Sequence, residues 1–370
     1  MTHNRGMKFL ETKFPPTFCE DIYKECTDSI ESSSSFNLIG LPSVGLSFFL
    51  RYLTAKSKHK FVHINTYELS DFTKNCFFEQ FAIKTNDKLT DESFLSQSRK
   101  GLENLAKTNE RIVIVINRID RLGSLLDQNL FDNLRYLRDA SREQVVMIFI
   151  SSTPIIELKL GTERDSFNIH TKQLFFKPYS IDDLESIAKI DGTPNIKSKA
   201  LELSGGHHSL FQILLRCQSL ENPLSDPMVE LVISDIFMSQ NVKRREQLQY
   251  IALGKKVSDV DFLLNIGLIK LVDGKYEFFS ELLQRYLLHY GETTLPHKEK
   301  KLLKILMKNV GKVVRKQDIF DYIWGDEVAG DWALNSLVYR LRRHRAFNSR
   351  GYVIKSVKKD GYILIDPSKQ

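Results

Sequence analysis

The sequence predicts an α/β fold extended by α+β domains: a parallel sheet with helices on both faces, a helical segment behind it, and two domains that each end in a β-hairpin. Three observations carry this. Between residues 36 and 178, short apolar runs rich in Val, Ile and Phe alternate with helical stretches, the pattern of buried parallel strands in an α/β layer. After Ser180 the apolar runs stop and helical spacing takes over. From residue 227 onward the order of helices then hairpin occurs twice, the second time in a strongly basic stretch.

Residues 20–31 read as a helix that closes on the flexible serine run Ser32 to Ser35. The strand candidates are Phe36 to Ile39, Phe61 to Ile64, Arg111 to Ile116, Gln144 to Ile150 and Gln173 to Phe176. Between them lie the helical stretches Leu46 to Ala55, Asp71 to Ile83, Glu92 to Thr108 and Gln128 to Ser141. Ser180 is placed to cap Ile181 to Ile190, with Asp182, Asp183 and Glu185 near the positive end of the helix dipole. A helix including Lys197 to Leu203 breaks at Gly205-Gly206, and another runs from His208 to Leu220. Residues 227–290 give helices and then the hairpin "LIKLVDGKYEFF", its turn at Asp273-Gly274. The expected division is an N-terminal helix and linker (1–35), an α/β domain (36–178), a helical lid (179–226), and two winged-helix domains (227–291 and 292–370).

With 42% hydrophobic residues in 370, the chain can bury ordinary cores. No run approaches the roughly 18 to 20 apolar residues of a membrane span, and Met1 to Lys13 is too polar for a secretory signal, so a cytoplasmic protein with no membrane partner is expected. Cys19, Cys26, Cys76 and Cys217 lack any C-x-x-C spacing and are expected as reduced, mostly buried thiols; no metal site is expected. The net charge of +7 is unevenly placed: residues 292–370 hold 17 Lys and Arg against 9 Asp and Glu, or +8, and the rest hold 36 against 37, or −1. Such a domain expects a negatively charged partner, of which nucleic acid is the commonest.

"IGLPSVGLSFFLR" has the outline of a phosphate-binding loop, placed after a strand and before a helix. Gly40, Gly45 and Ser47 supply the backbone approach and the hydroxyl such a loop needs, but Leu46 stands where the lysine that reaches the β and γ phosphates belongs. In "RIVIVINRIDRL" Asn117 and Arg118 stand where two carboxylates would hold magnesium and activate water, and an arginine cannot be a general base. Asp120 substitutes only if the turn is displaced. These departures predict a fold kept without hydrolysis; ATP or ADP bound without turnover is the cofactor its surviving groups allow, and no catalytic residue is expected.

Over roughly residues 18 to 290 the chain resembles the STAND and Cdc6-like branch of P-loop (AAA+) ATPases. Beyond the loop, the resemblance rests on "INRIDRL", on "FISSTP" with Ser151 or Ser152 at a polar sensor position, on "KPYSIDDLESIAKI" at the entry to the lid, on "LSGGHHSLFQILLR", and on "FLLNIGLIKLVDGKYEFFSELLQRYL" as the winged helix behind it. The resemblance implies that His207 lies nearest a bound nucleotide; the alternative is an ordinary histidine at a helix N-terminus.

The basic tail places Leu302, Leu303 and Leu306 on one helical face, a short second helix from Lys316 to Ile323 before Trp324-Gly325, and a third from Trp332 to Arg345. The third carries Leu334, Leu337, Val338 and Leu341 inward, and Ser336, Tyr339, Arg340 and Arg343 outward, flanked by Arg342 and Arg345. Guanidinium forks and small polar groups on one helix face suit a DNA major groove. The hairpin "GYVIKSVKKDGYIL" follows, with Lys355 on its rising strand, Lys358 and Lys359 at its tip, and Asp360-Gly361 as the turn pair. Over residues 295 to 365 this stretch is similar to the OmpR/PhoB type of winged-helix effector domain, on "GKVVRKQDI", Trp324-Gly325, "LNSLVYRLRRH" and "IKSVKKDGYIL". By that resemblance Arg340, Arg342 and Arg343 face DNA and Lys358 takes the place of the wing arginine. Only Tyr290 to Thr294 separates the domain from the preceding one, so its usual opening strands are expected to be missing or replaced.

The expected function is a transcriptional regulator whose tail reads double-stranded DNA, while a degenerate ATPase-like module senses a ligand or assembles protomers into a homo-oligomer. The alternatives are an active ATP-dependent switch or initiator, and a protein-binding scaffold.

Overall fold

The computed structural model describes residues 14–86, 88–141, 143–158, 172–193, 196–217, 219–290, 297–325, 330–343, 353–357 and 360–365. The chain forms two compact units, Met1–Leu283 and Gln284–Gln370.

The first unit opens with α1 (Glu20–Glu31), β1 (Phe36–Gly40), α2 (Leu46–Lys56), β2 (Lys60–Asn65), α3 (Lys74–Thr85), α4 (Phe94–Ala106), β3 (Ile112–Asn117), α5 (Gln128–Arg138), β4 (Val145–Ser151) and β5 (Lys172–Phe176). All five strands are parallel, in the order β2-β3-β4-β1-β5. Ile112 to Ile116 of β3 and every residue of β4 are buried, as helices on both faces require. The chain leaving β1 must cross β4 and β3 to reach β2. That places the loop after β1 at a switch point on the carboxyl edge, where open α/β sheets hold their ligands.

Capping sets the helix starts more sharply than periodicity did. The Thr73 hydroxyl accepts the Cys76 N–H at 3.2 Å, so α3 begins at Lys74 and not at Asp71. Ser93 caps α4 in the same way. Within the sheet, the buried amide of Asn37 donates to Phe149 O (2.9 Å) and Ser151 Oγ (2.8 Å) and accepts from Ile155 N (3.1 Å), fastening β1 to the end of β4.

The lid comprises α6 (Ile181–Ile190), α7 (Ser198–Ser204) and α8 (His208–Arg216). Ser180 accepts from Asp183 N at 3.1 Å, the expected cap. α8 ends at Arg216 and does not reach Leu220. Gly205 and Gly206 have φ of 55° and 85°, and a side chain at either would drive its Cβ to within 1.8 Å of Phe279 O or 1.9 Å of Tyr179 O, so only glycine fits.

A winged helix follows: α9 (Pro227–Met238), α10 (Val242–Ala252), α11 (Asp261–Asn265), and the hairpin of β6 (Ile269–Val272) and β7 (Lys275–Phe278). Its turn has positive φ at Asp273 (49°) and Gly274 (75°), as the pair predicts. This domain is fastened to the sheet domain. Arg244 of α10 pairs with both carboxylate oxygens of Glu157, and its guanidinium lies 3.3 Å from the Phe262 ring centroid. Phe262 of α11 in turn meets Phe175 of β5 edge-on at 5.8 Å. The unit division falls inside α12 (Glu281–Tyr290).

The second unit contains α13 (His297–Met307), β8 (Val313–Arg315), α14 (Lys316–Trp324), α15 (Asp331–Arg343), β9 (Val353–Val357) and β10 (Gly361–Ile365). Leu302, Leu306, Leu334, Leu337, Val338 and Leu341 meet in its core, as their spacing predicts. Two expectations change. "VVR" (Val313–Arg315) forms a strand, β8, that pairs with β10, so the wing is an antiparallel sheet in the order β8-β10-β9 and not a lone hairpin. Gly361 is the first residue of β10 and not a turn glycine: an added Cβ would lie 1.9 Å from Val314 O, so it is the close approach of β8 that demands glycine. The expectation that opening strands are missing or replaced concerns Tyr290 to Thr294, of which only Tyr290, the last residue of α12, is among the described residues.

Among the described residues no helix is long and apolar enough to cross a membrane. All four cysteines are free, Cys26 and Cys217 buried and Cys19 and Cys76 half-buried.

Candidate functional site

The loop between Gly40 and α2 carries the sequence features of phosphate binding, with Ser43 (φ 58°) and Gly45 (φ 103°) turning the backbone into the helix. Leu46 is half-buried and Ser47 is exposed at the start of α2. The lid grips this loop by its carbonyls. His207 Nδ1 accepts from Leu210 N at 3.3 Å, so Nε2 carries the hydrogen and donates to Pro42 O at 2.8 Å. His208 N donates to Val44 O at 3.3 Å, Ser209 N to Ser43 O at 3.4 Å, and the Tyr179 hydroxyl to Gly45 O at 2.8 Å. Residues 42 to 45 thus each give a carbonyl to the lid or its entry. A Cβ on Gly45 would lie 2.7 Å from His208 Cβ and 2.9 Å from the Tyr179 ring.

His207 is fully buried, and burial lowers its pKa to about 4, so the ring is neutral at physiological pH. Both its nitrogens are engaged by backbone groups. The resemblance implied that it lies nearest a bound nucleotide; in the structure it is the N-cap of α8 and a strap to Pro42. Tyr179 is buried as well and its phenol is pushed up by burial; Phe18 stacks on it with centroids 5.9 Å apart.

On the neighbouring strand end, Arg118 adopts φ 57° and its guanidinium lies 3.2 Å from Asp120 Oδ1. The other carboxylate oxygen accepts from Ser152 Oγ at 2.7 Å and Ser152 N at 3.3 Å. Asp120 therefore has a cation and two donors of its own. Ser152 is the serine that meets this carboxylate, whereas Ser151 donates to Thr153 O and accepts from Asn37. Among the described residues no group of three or more His, Cys, Asp or Glu is arranged to hold a metal ion. For a nucleotide phosphate, the loop has backbone N–H groups and the Ser47 hydroxyl, with no ammonium at position 46.

In the second unit, α15 and the wing form the other candidate surface. Ser336 is half-buried, and Tyr339, Arg342 and Lys355 are exposed. Arg340 and Arg343 stand on α15, but their side chains lie outside the described ones, as do residues Arg345, Lys358 and Lys359. Arg342 differs from the expectation of a group free to face DNA: its Nε donates to Ile354 O at 3.1 Å and its Nη2 to Ser356 Oγ at 2.9 Å, bracing the helix against β9. Its position, one residue toward the wing from the outward face, explains this. The sequence reading missed Trp332, which is 80% exposed, and Asn335, whose Oδ1 accepts from the Tyr362 hydroxyl at 2.6 Å. Trp332 stands seven residues before Tyr339, a helical spacing that could have flagged it.

Residues 291–364 match the family described as transcriptional regulatory protein, C terminal, and the tail is a domain of that type. The transcriptional regulator HilA of Salmonella typhi is 31% identical over 71 residues, which cover 19% of this chain and only 13% of that protein. Solved structures similar to the chain include the Walker-type ATPase PABY2304 of Pyrococcus abyssi (15% identity, 73% of this chain and 95% of that one, TM-score 0.47). The Orc1 protein of Aeropyrum pernix, solved in complex with DNA, is similar at 14% identity over 95% and 90%, with a TM-score of 0.42. The first unit has, on its own strand order, a five-stranded parallel α/β sheet.

Proposed function

We propose that the protein is a sequence-reading DNA-binding transcriptional regulator in which the tail domain contacts duplex DNA and the first unit serves as a non-hydrolysing module for ligand sensing or assembly of a homo-oligomer. The observation that carries the reading is the exposed outer face of α15 beside the wing, in a stretch of charge +8 whose family match is to transcriptional regulators. The first winged helix is a poor second reader, since Phe262 on its short third helix packs on β5. The division at 36–178, 179–226, 227–291 and 292–370 remains our reading of the domains. Adenine nucleotide, where it binds, is held by backbone N–H groups and Ser47 between Gly40 and His207, with no catalytic base.

The test is binding of the full chain to duplex DNA across a salt series. Each phosphate contact releases a counterion, so affinity should fall steeply with salt, by about 10³ or more between 50 and 200 mM for six or more contacts. Arg340→Ala and Arg343→Ala should each weaken binding by about 1 to 3 kcal/mol where a base contact is lost. A flat salt response would favour the protein-binding scaffold.

A further inference from the structure

α9 buries Val229, Ile233, Ile236 and Phe237, yet eight of its twelve residues are apolar. A helix that is apolar on more than one face is ordinarily covered on each. Here the second face is open. Met228, Leu231 and Met238, three and then seven residues apart, are each more than half exposed, and Val242 at the start of α10 is exposed beyond them. Methionines suit such a surface, because their unbranched side chains adapt to an incoming partner.

Two opposite charges border this row. Asp235 lies one turn before Met238, and its carboxylate has no hydrogen bond or ion pair among the described residues. Arg245 of α10 reaches Met238 from the neighbouring helix, its Nη1 donating to Sδ at 3.3 Å, a weak acceptor for a guanidinium. The two do not pair with each other within the chain. A partner of one charge sign would satisfy only one of them, whereas a second copy satisfies both. Rotating one copy by half a turn about Met238 brings Asp235 of each against Arg245 of the other, with the apolar rows meeting between them. We propose that two copies of this chain associate through α9 and the start of α10 around a two-fold axis beside Met238, with Asp235 of each protomer paired to Arg245 of its partner. The proposal rests on the homo-oligomer assembly named above and gives it a surface, a symmetry and an ion pair. Four apolar side chains from each copy make a small patch, so the association belongs to the transient class.

Sedimentation of the full chain up to about 100 μM, a range that captures micromolar affinities, should show a monomer–dimer equilibrium. Asp235→Arg sets like charges at both symmetric contacts and should weaken dimerisation about tenfold or more, and Arg245→Asp should do the same. Mixed in equal amounts, the two variants should recover the dimer, because each then carries the charge that the other lacks; mixing cannot mend a damaged fold. Leu231→Glu, at an exposed position, should weaken the dimer at least as much with an unchanged melting temperature. A wild-type chain that stays monomeric across the range, or a mixture that associates no better than either variant alone, overturns the two-fold pairing. The same samples are titrated with duplex DNA. A monomer that still binds DNA loses only the dimer proposed here, and a dimer that binds none loses only the DNA-reading function.

Discussion

His207 shows how the work of one side chain is set by surroundings that its motif does not contain, here the α8 N-terminus it caps and the Pro42 carbonyl it donates to. Its burial holds the folded pKa near 4 against an ordinary 6.5, so the folded chain refuses a proton that the unfolded chain accepts between those values. Stability from this group is therefore fully present above pH 6.5 and is lost as pH falls toward 4, on the order of 3 kcal/mol in total. Melting curves of wild type and His207→Gln from pH 7 to pH 4.5 should converge as pH falls, because glutamine keeps a donor for Pro42 without titrating. Parallel curves would show that His207 has no such part. The depressed pKa of His63 is common to both proteins and cancels. The residue types at 40, 45, 46, 117 and 118 were legible as a phosphate loop without its charges. The partners of Asp120 were not, since Ser152 reaches it from the end of a different strand.

Elements were legible where a periodicity could be counted, and illegible where a long-range partner defined them. Five apolar runs gave five strands, and the leucine spacing of α15 gave its core face. β8 is three residues long and exists because β10 pairs with it, so nothing in "VVR" alone distinguishes it from the approach to a helix. The same pairing explains Gly361. Its backbone is not in the left-handed region, so alanine would meet no local strain, only the Val314 carbonyl 1.9 Å from the new Cβ. Gly361→Ala should therefore detach β8 and cost more than about 2 kcal/mol, in the range of overpacking and lost buried pairing. Hydrogen exchange provides the check, with Val313 and Ile363 amides losing protection before those of α15. Retained protection would mean that the sheet shifts to accommodate the methyl. Arg342 adds to the same packing: by joining α15 to Ile354 and Ser356 it holds α15 and β9 in one geometry.

Across the whole chain, charge and chemistry are divided between the units. Residues 292–370 carry +8 and the rest −1, so long-range attraction to a polyanion belongs to the tail. The first unit has a parallel α/β sheet and the outline of a phosphate loop, but position 46 has no ammonium to follow charge as it moves between phosphates, and Asp120 is already paired with Arg118 and Ser152. If nucleotide acts at all, it acts through binding, by differing in affinity for two arrangements of the lid on the loop. ATP with magnesium and a non-hydrolysable ATP analogue should then change the DNA affinity of the full chain by the same factor, and phosphate release should not exceed that of buffer. Unequal effects, together with release that Ser47→Ala abolishes, would establish turnover and replace the binding module with an ATP-driven switch. Equal effects would leave the loop of residues 42 to 45, whose carbonyls accept from His207, His208, Ser209 and Tyr179, as the place where binding at the loop is felt by the lid.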